Sequence, residues 1–393
     1  MMDSGQPAHE RYRVQLELAR SDTSIVDAMD ADPGRREWWP LGSAVRRTFG
    51  RFYADAAPYL SIVLETLDDP QVVVSVEAFE ERPHDTDQWV VRLDPLGWLR
   101  IALATADPKL PTLGALVNLE GSRVVRYRPG QRCVVRVDEG GVTRWAKTFA
   151  DDHGAAIHRT DRMLWEHRHE LTFQVAPPGR YDPANRTIWN DNVSGVPVMP
   201  ELMSANGPTL AERMGRACAS LATSTLTPVD VLRAEDELER TTVRAKTLAA
   251  TVPSLAPQVE EFLRLLAPAL AAAVGRSPRP LHGAPHPEQW LLSGSGLGLV
   301  DFDRAGLGDP ELEVATFQAE IDFKGGIVAG PDMVNQAFLD GYEDVAGPLD
   351  RKLLAGYRAA KRMHKALRTA QAIRPEGAER ATVHLQRAFD ALI

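Results

Sequence analysis

LHGAPHPEQWLLSGSGLGLVDFDRAGLGDP, residues 281–310, has the texture of two short strands held between loops. Its apolar runs, 290–292 and 297–300, flank a Ser-Gly-Ser-Gly turn, and apolar runs bounded by such turn residues signal a hairpin. That pairing brings Gln289, just before the first strand, close to Asp301, just after the second. Two oxygen-bearing side chains on a rigid hairpin suit Mg²⁺, which takes few protein ligands and completes its shell with phosphate and water. The run Gly308-Asp309-Pro310 precedes an apolar periodic stretch, so Asp309 is expected as a turn or helix-start residue.

Outward from this segment the bulk properties exclude more than they identify. The chain has 393 residues, 44% hydrophobic and 25% charged, a globular composition long enough for two or three structural units. A net charge of -9 offers no basic field to nucleic acid or an anionic bilayer, so neither partner is expected. Cys133 and Cys218 are too few for a disulfide scaffold; both are expected in the core, and the cytoplasm is the expected compartment. The polar start, residues 1–13, lacks the apolar stretch of a secretory signal. The most apolar run, 265–274, is interrupted by Pro268 and is too short to span a bilayer.

Three textures divide the chain. Residues 1–104 are mixed, with a helix expected over 44–67 and strands over 72–79 and 89–93, and form an N-terminal extension without a chemical motif. Residues 105–195 carry strands over 123–128, 131–137 and 142–149, joined at Pro129-Gly130 and at Asp138-Glu139-Gly140-Gly141 into an antiparallel meander. A helix over 155–170 follows, with Ile157, Leu164 and Leu171 on one face, and then strand candidates at 171–175 and 187–189. Residues 196–393 are mainly helical, with periodic stretches at 210–221, 229–250, 255–274 and 353–372. This is a two-lobed α+β plan, a small β-rich lobe before a larger helical one, with ligand expected in the cleft between lobes.

The residues His282-Gly283-Ala284, His286-Pro287, Gln289, Val300-Asp301-Phe302-Asp303, Gly306 and Gly308-Asp309-Pro310 together resemble the catalytic and metal-binding loops of the aminoglycoside phosphotransferase family. The resemblance implies a protein-kinase-like fold and an ATP- and Mg²⁺-binding phosphotransferase that acts on a hydroxyl of a small molecule. It implies Asp301 as the Mg²⁺ ligand, with Gln289 at the second ligand position, where the family more often has asparagine, and Asp303 near the metal. It also implies a lysine on the third strand of the small lobe, paired with a glutamate of the next helix to hold the α- and β-phosphates. Lys147 takes the lysine position, with Glu166 as partner and Glu170 as rival. Pro129-Gly130 takes the place of the phosphate-covering turn, without the G-x-G-x-x-G of protein kinases. The likeness covers about residues 113–318; the two ends of the chain follow by fold-level expectation.

Where the family has its catalytic aspartate, this chain has Ala284. A methyl group neither accepts a proton nor orients a hydroxyl, and losing a positioned base costs about 10²- to 10⁴-fold in rate. Three accounts stay open: deliberate removal of the base, a natural pseudokinase that binds nucleotide as a regulatory partner, or cover of the function by His286 or Asp303. The acceptor is open too, from aminoglycosides, macrolides, sugars and choline-like alcohols to peptide Ser/Thr hydroxyls in a biosynthetic pathway. Other residues have blander readings. His282 fixes the loop by hydrogen bonds, and Arg123, Arg126, Arg128, Arg132 and Arg136 line the solvent face of a ribbon. The spacing of His153, His158, His167 and His169 does not make a zinc site.

Overall fold

The structure, a computed structural model, describes residues 17–53, 56–69, 72–84, 88–374 and 376–393; the polar start at 1–13 lies outside them. The chain forms two compact units. The first runs to Gly154 and adds Tyr181–Trp189 and Thr369–Glu379; the second holds Ala155–Arg180, Asn190–Arg368 and Arg380–Ile393. The texture change near residue 104 falls inside the first unit.

In the first unit, helix α1 (Asp22–Ala31) precedes strands β1 (Val45–Phe52), β2 (Leu60–Thr66), β3 (Val73–Phe79), β4 (Trp89–Leu93) and β5 (Gly97–Leu103). They form one antiparallel sheet in the order β1-β2-β3-β5-β4. The helix expected over 44–67 is therefore two strands. β2 is buried at every position, so its sequence shows no alternation to read. Leu60, Ile62 and Leu64 pack on one side with Ile25, Trp39 and Trp89, whereas Val63 joins a second core with Val124, Val135 and Ala146. The first sheet thus shares that second core with the meander.

The meander follows the short helix α2 (Leu113–Val117) as β6 (Ser122–Arg128), β7 (Arg132–Glu139) and β8 (Val142–Phe149). Helix α3 (His153–Glu166) comes next, and β9 (Tyr181–Asp182) and β10 (Thr187–Asp191) complete a sheet ordered β6-β7-β8-β10-β9. Arg123 lies opposite Arg136, and Arg128 opposite Arg132. Arg123, Arg126 and Arg136 are exposed.

The second unit is mostly helical. Helix α3 buries Ile157 and Leu164 and stops at Glu166, after which Arg168–Glu170 forms a 3-10 turn. The strand expected over 171–175 is reduced to a single bridge between Gln174 and Gly298. Then come β11 (Val196–Pro197), α4 (Met199–Leu202), α5 (Gly207–Ala222), β12 (Val231–Leu232), α6 (Ala234–Thr251) and α7 (Ala256–Leu270). Residues 231–232, inside the helical stretch expected over 229–250, pair instead, parallel, with a strand of the motif segment. That segment holds β13 (Arg279–Leu281), β14 (Trp290–Ser293), β15 (Gly296–Leu299) and β16 (Gly306–Gly308). Helices α8 (Pro310–Phe323), α9 (Pro331–Ala346), α10 (Arg351–Ala370) and α11 (Gly377–Asp390) follow. Among the described residues no helix is long and apolar enough to cross a membrane.

Candidate functional site

β14 and β15 pair antiparallel from Trp290↔Leu299 to Ser293↔Gly296, leaving Gly294-Ser295 as a two-residue turn. The Val300 N–H donates to the Gln289 carbonyl at 3.1 Å, extending the ladder to the residue before Asp301. Asp301 is exposed and has φ +70°, a left-handed conformation that few non-glycine residues adopt and that aspartate tolerates better than most. Such backbone strain concentrates at functional positions. Phe302 turns inward and lies 4.5 Å from the His282 ring, centroid to centroid.

The loop before the hairpin is held from inside. Glu313, in the first turn of α8, accepts from the His282 N–H at 3.1 Å, from the Gly283 N–H at 2.6 Å and from the Cys218 thiol at 3.2 Å. Burial pushes the Glu313 carboxyl up to about 7 against these donors. Gly283 has φ +76°, and a Cβ there would stand 2.1 Å from the Arg304 carbonyl oxygen, so only glycine fits. His282 is fully buried, and burial pushes its pKa down to about 4, leaving the ring neutral. Its Nε2 donates to the Val300 carbonyl at 3.1 Å while Nδ1 accepts from the Ala284 N–H at 3.3 Å, a tautomer assigned by these partners. The histidine thereby ties the loop to the hairpin.

Ala284 is 5% exposed. Two residues on, His286 Nδ1 lies 3.0 Å from the Glu320 carboxylate, which also pairs with Lys365. Burial raises the Glu320 pKa, but His286 and Lys365 outweigh it and hold the carboxyl near 2. Gln289 closes a capping box: its Oε1 accepts from the His286 N–H at 2.8 Å, and its Nε2 donates to Asp301 Oδ2 at 3.2 Å. The expected proximity of Gln289 and Asp301 is present. The amide, however, shows Asp301 a donor, and exchanging its O and N would set two donors against each other at His286. In this arrangement Asp301 fits a cation and the Gln289 amide does not, unless it rotates and gives up its cap. Asp303 stands two residues further on, half-buried.

Asp309 occupies the position before α8, yet its carboxylate accepts from the Tyr357 hydroxyl at 2.7 Å rather than from the helix N-terminus. Cys133 and Cys218 are both buried free thiols.

In the first unit, Lys147 is half-buried on β8 opposite Val134, on the face away from Ala146, which joins the core. The Pro129-Gly130 turn is pinned by Asp107, which accepts from the Gly130 N–H at 2.7 Å and from the Tyr127 hydroxyl at 2.9 Å. That N–H is therefore already engaged. In the second unit, Glu166 is exposed and lies 3.7 Å from Arg162, one turn back on the same helix. Glu170 accepts from the Thr225 N–H at 2.7 Å and sits 2.7 Å from His167 Nδ1, contacts that hold its carboxyl down near 2. On α3 the carboxylate that shares the inward face with Ile157 and Leu164 is Asp161, which accepts from Asn190 at 3.3 Å. Sequence reasoning passed over Asp161, Glu313 and Glu320. For Asp161 a signal existed, its i+4 and i−3 spacing from Ile157 and Leu164; for the other two, helical residues far along the chain from their partners, none did.

Solved structures share this architecture. The gentamicin complex of aminoglycoside phosphotransferase APH(2")-IIa is 12% identical, covering 72% of this chain and 97% of that one, with a TM-score of 0.50. The GDP complex of aminoglycoside 2'-phosphotransferase-IIIa gives the same identity, coverage and score. Choline kinase LicA from Streptococcus pneumoniae is 16% identical, covering 72% and 96%, with a TM-score of 0.49. The two aminoglycoside phosphotransferase structures identify a two-lobed, kinase-like α+β fold. Among curated protein sequences there is no match. The model of the phosphotransferase enzyme family, APH, matches residues 82–357, most of the chain with the whole motif segment inside it, and the chain belongs to that family.

Proposed function

We propose that this chain is an ATP-dependent phosphotransferase for a hydroxyl of a small molecule, slowed by the loss of its base at Ala284. The observation that carries the reading is the preserved loop around that position: the strained Gly283, the neutral His282 bridging to Val300, and Asp301 raised on its hairpin. In this reading the acceptor oxygen forms a bond to the γ-phosphorus, and the bond from that phosphorus to the bridging oxygen of ADP breaks. The hydroxyl proton passes to water, because Ala284 offers no acceptor. Lys147 holds the α- and β-phosphates, with Asp161 favoured over Glu166 as the acidic residue of the helix by its inward face. Asp301, helped by Asp303, would hold Mg²⁺, which when bound neutralises charge on the β- and γ-phosphate oxygens. The cytoplasm, where ATP is available, is the compartment this reading takes.

The test is Ala284→Asp, assayed for ADP release against a panel of hydroxyl acceptors. A base in that place should raise turnover by about 10²- to 10⁴-fold. A nucleotide-binding pseudokinase is the second reading, favoured by the same alanine and by the amide of Gln289 being spent on a cap. It is the correct one if both forms bind Mg·ATP tightly and neither phosphorylates any acceptor.

A further inference from the structure

On a chain of net charge -9, the second unit gathers cations beside the motif segment. Glu237, on α6 and only 1% exposed, has three of them on its one carboxylate: Arg240 at 3.0 Å, Arg244 at 3.5 Å and Lys361 of α10 at 3.1 Å. Helix α10 continues the stripe at helical spacing with His364, Lys365 and Arg368. Arg304 adds its charge from the loop after Asp303, depressing both Lys361 and Arg244. Against these six Arg and Lys side chains stand the carboxylates of Glu237 and Glu320, with that of Glu313 also acting on Lys361. Among the described residues neither Arg304 nor Arg368 forms an ion pair.

A structural ion-pair network tends toward balance, because uncompensated buried charge costs several kcal/mol. Here the excess is positive and runs from the interior to the surface: the Lys361 side chain is 10% exposed and that of Arg244 21%, and both share the one carboxylate of Glu237, while Arg304 and Arg368 are exposed. Two further polar groups on the same helix lack partners. Thr241, fully buried one turn after Glu237, has no hydrogen-bond partner for its hydroxyl, and neither has the Arg240 Nε. The cluster abuts the catalytic loop through two links. Lys365 pairs with Glu320, which pairs with His286, and the Arg304 carbonyl packs on Gly283.

We propose that this cluster receives an anionic group of the acceptor, a carboxylate or a phosphate, so that the substrate is an acidic hydroxyl compound and not a polycationic aminoglycoside. The inference rests on the phosphotransferase reading for the word acceptor, but the anion site stands on its own contacts. Arg244 and Lys361 form its floor, Arg304 stands at its exposed rim, and Thr241 supplies a neutral donor.

The experiment uses the full chain saturated with Mg·AMP-PNP, whose binding is measured first by calorimetry. Thermal stability is then followed at fixed ionic strength with glycerol 3-phosphate, glycerate, glycerol or gentamicin. We expect at least one of the two anions to raise the melting temperature by several degrees at millimolar concentration, with glycerol and gentamicin without effect. Comparing the two distinguishes phosphate from carboxylate. Arg304→Gln, a change at an exposed position, should weaken the anion at least 5-fold, and Arg244→Gln should weaken it more. The proposal is overturned if neither anion acts more strongly than glycerol, if gentamicin binds and the substitutions tighten it, or if the variants keep the full anion response. Failure of Mg·AMP-PNP to bind while the anion still stabilises would sink the phosphotransferase reading and leave the anion site standing.

Discussion

Glu313 accepts the Gly283 N–H at 2.6 Å across 30 residues of sequence, so the first turn of α8 fixes the backbone that leads into Ala284. The same carboxylate takes the His282 N–H, and both donors are buried. Glu313→Ala would orphan the pair, and at about 1–3 kcal/mol for each unpaired buried donor the loss should be roughly 3 kcal/mol. Urea denaturation measures it. A loss under about 1 kcal/mol would show that the loop is held by other contacts.

Gly283→Ala should be worse. The methyl group would meet the Arg304 carbonyl oxygen at 2.1 Å, backbone against backbone, at φ +76°. The left-handed conformation alone costs about 1–2 kcal/mol for alanine, and the clash adds to it. We expect a variant that is poorly folded at 37 °C by circular dichroism; a native melting curve would contradict the loop geometry.

Asp301 carries a related strain at φ +70°. Glycine there should be more stable than alanine by about 1 kcal/mol, because it adopts that conformation without penalty. Both Asp301→Gly and Asp301→Ala should abolish Mg²⁺-dependent nucleotide binding. Paired melting and calorimetry check this trade of stability against function. Nucleotide affinity that is unchanged in either variant would remove Asp301 from the site.

These positions show what the sequence discloses. The hairpin and the helix start after Asp309 were legible because their signals are local: apolar runs, a Ser-Gly turn, a proline at the first helical position. The strands of 45–66 were not, since β2 lies between two cores and the alternation that marks a strand is erased. The proximity of Gln289 and Asp301 followed from strand pairing, whereas the direction of the amide is set by the His286 N–H, a detail no spacing encodes. Glu313 reads as one more acidic residue in a first helical turn until the fold sets it under Gly283. The cation cluster joins α6 and α10, which sequence order separates by more than a hundred residues.

Gln289→Glu tests the amide directly. The carboxylate would still accept from the His286 N–H, but would set a second negative charge beside Asp301, where the amide now donates at 3.2 Å. Without metal the variant should be less stable than the native chain. With Mg²⁺ it should gain more than the native chain does, about 2.7 kcal/mol at a hundredfold excess over the dissociation constant. The readout is melting temperature against MgCl₂ at constant ionic strength. An equal Mg²⁺ response in the two proteins would mean that the two side chains do not share a cation.

The dependence of stability on pH between about 4.5 and 7 draws on buried groups of opposite sense, histidines and a glutamate. Burial holds the folded pKa of His282 near 4, against 6.5 when free, so the folded chain binds fewer protons. Its contribution is full above pH 6.5 and is lost as pH falls toward 4. His364 and His384, held down chiefly by burial to about 2 and about 4, act in the same direction. Glu313 acts oppositely. Burial raises it from 4.5 to about 7, so its contribution is full below pH 4.5 and is lost as pH rises to 7. Between pH 4.5 and 6.5 the glutamate therefore offsets part of the histidine slope. Removing its charge with Glu313→Gln should expose that slope, so that stability falls more steeply on acidification than in the native chain. The difference accumulates to about 3 kcal/mol across the window, at 1.36 kcal/mol per pKa unit. Urea midpoints at pH 5, 6 and 7.5 for both proteins measure it; parallel slopes would show that Glu313 titrates near its free value and is not buried with its three donors.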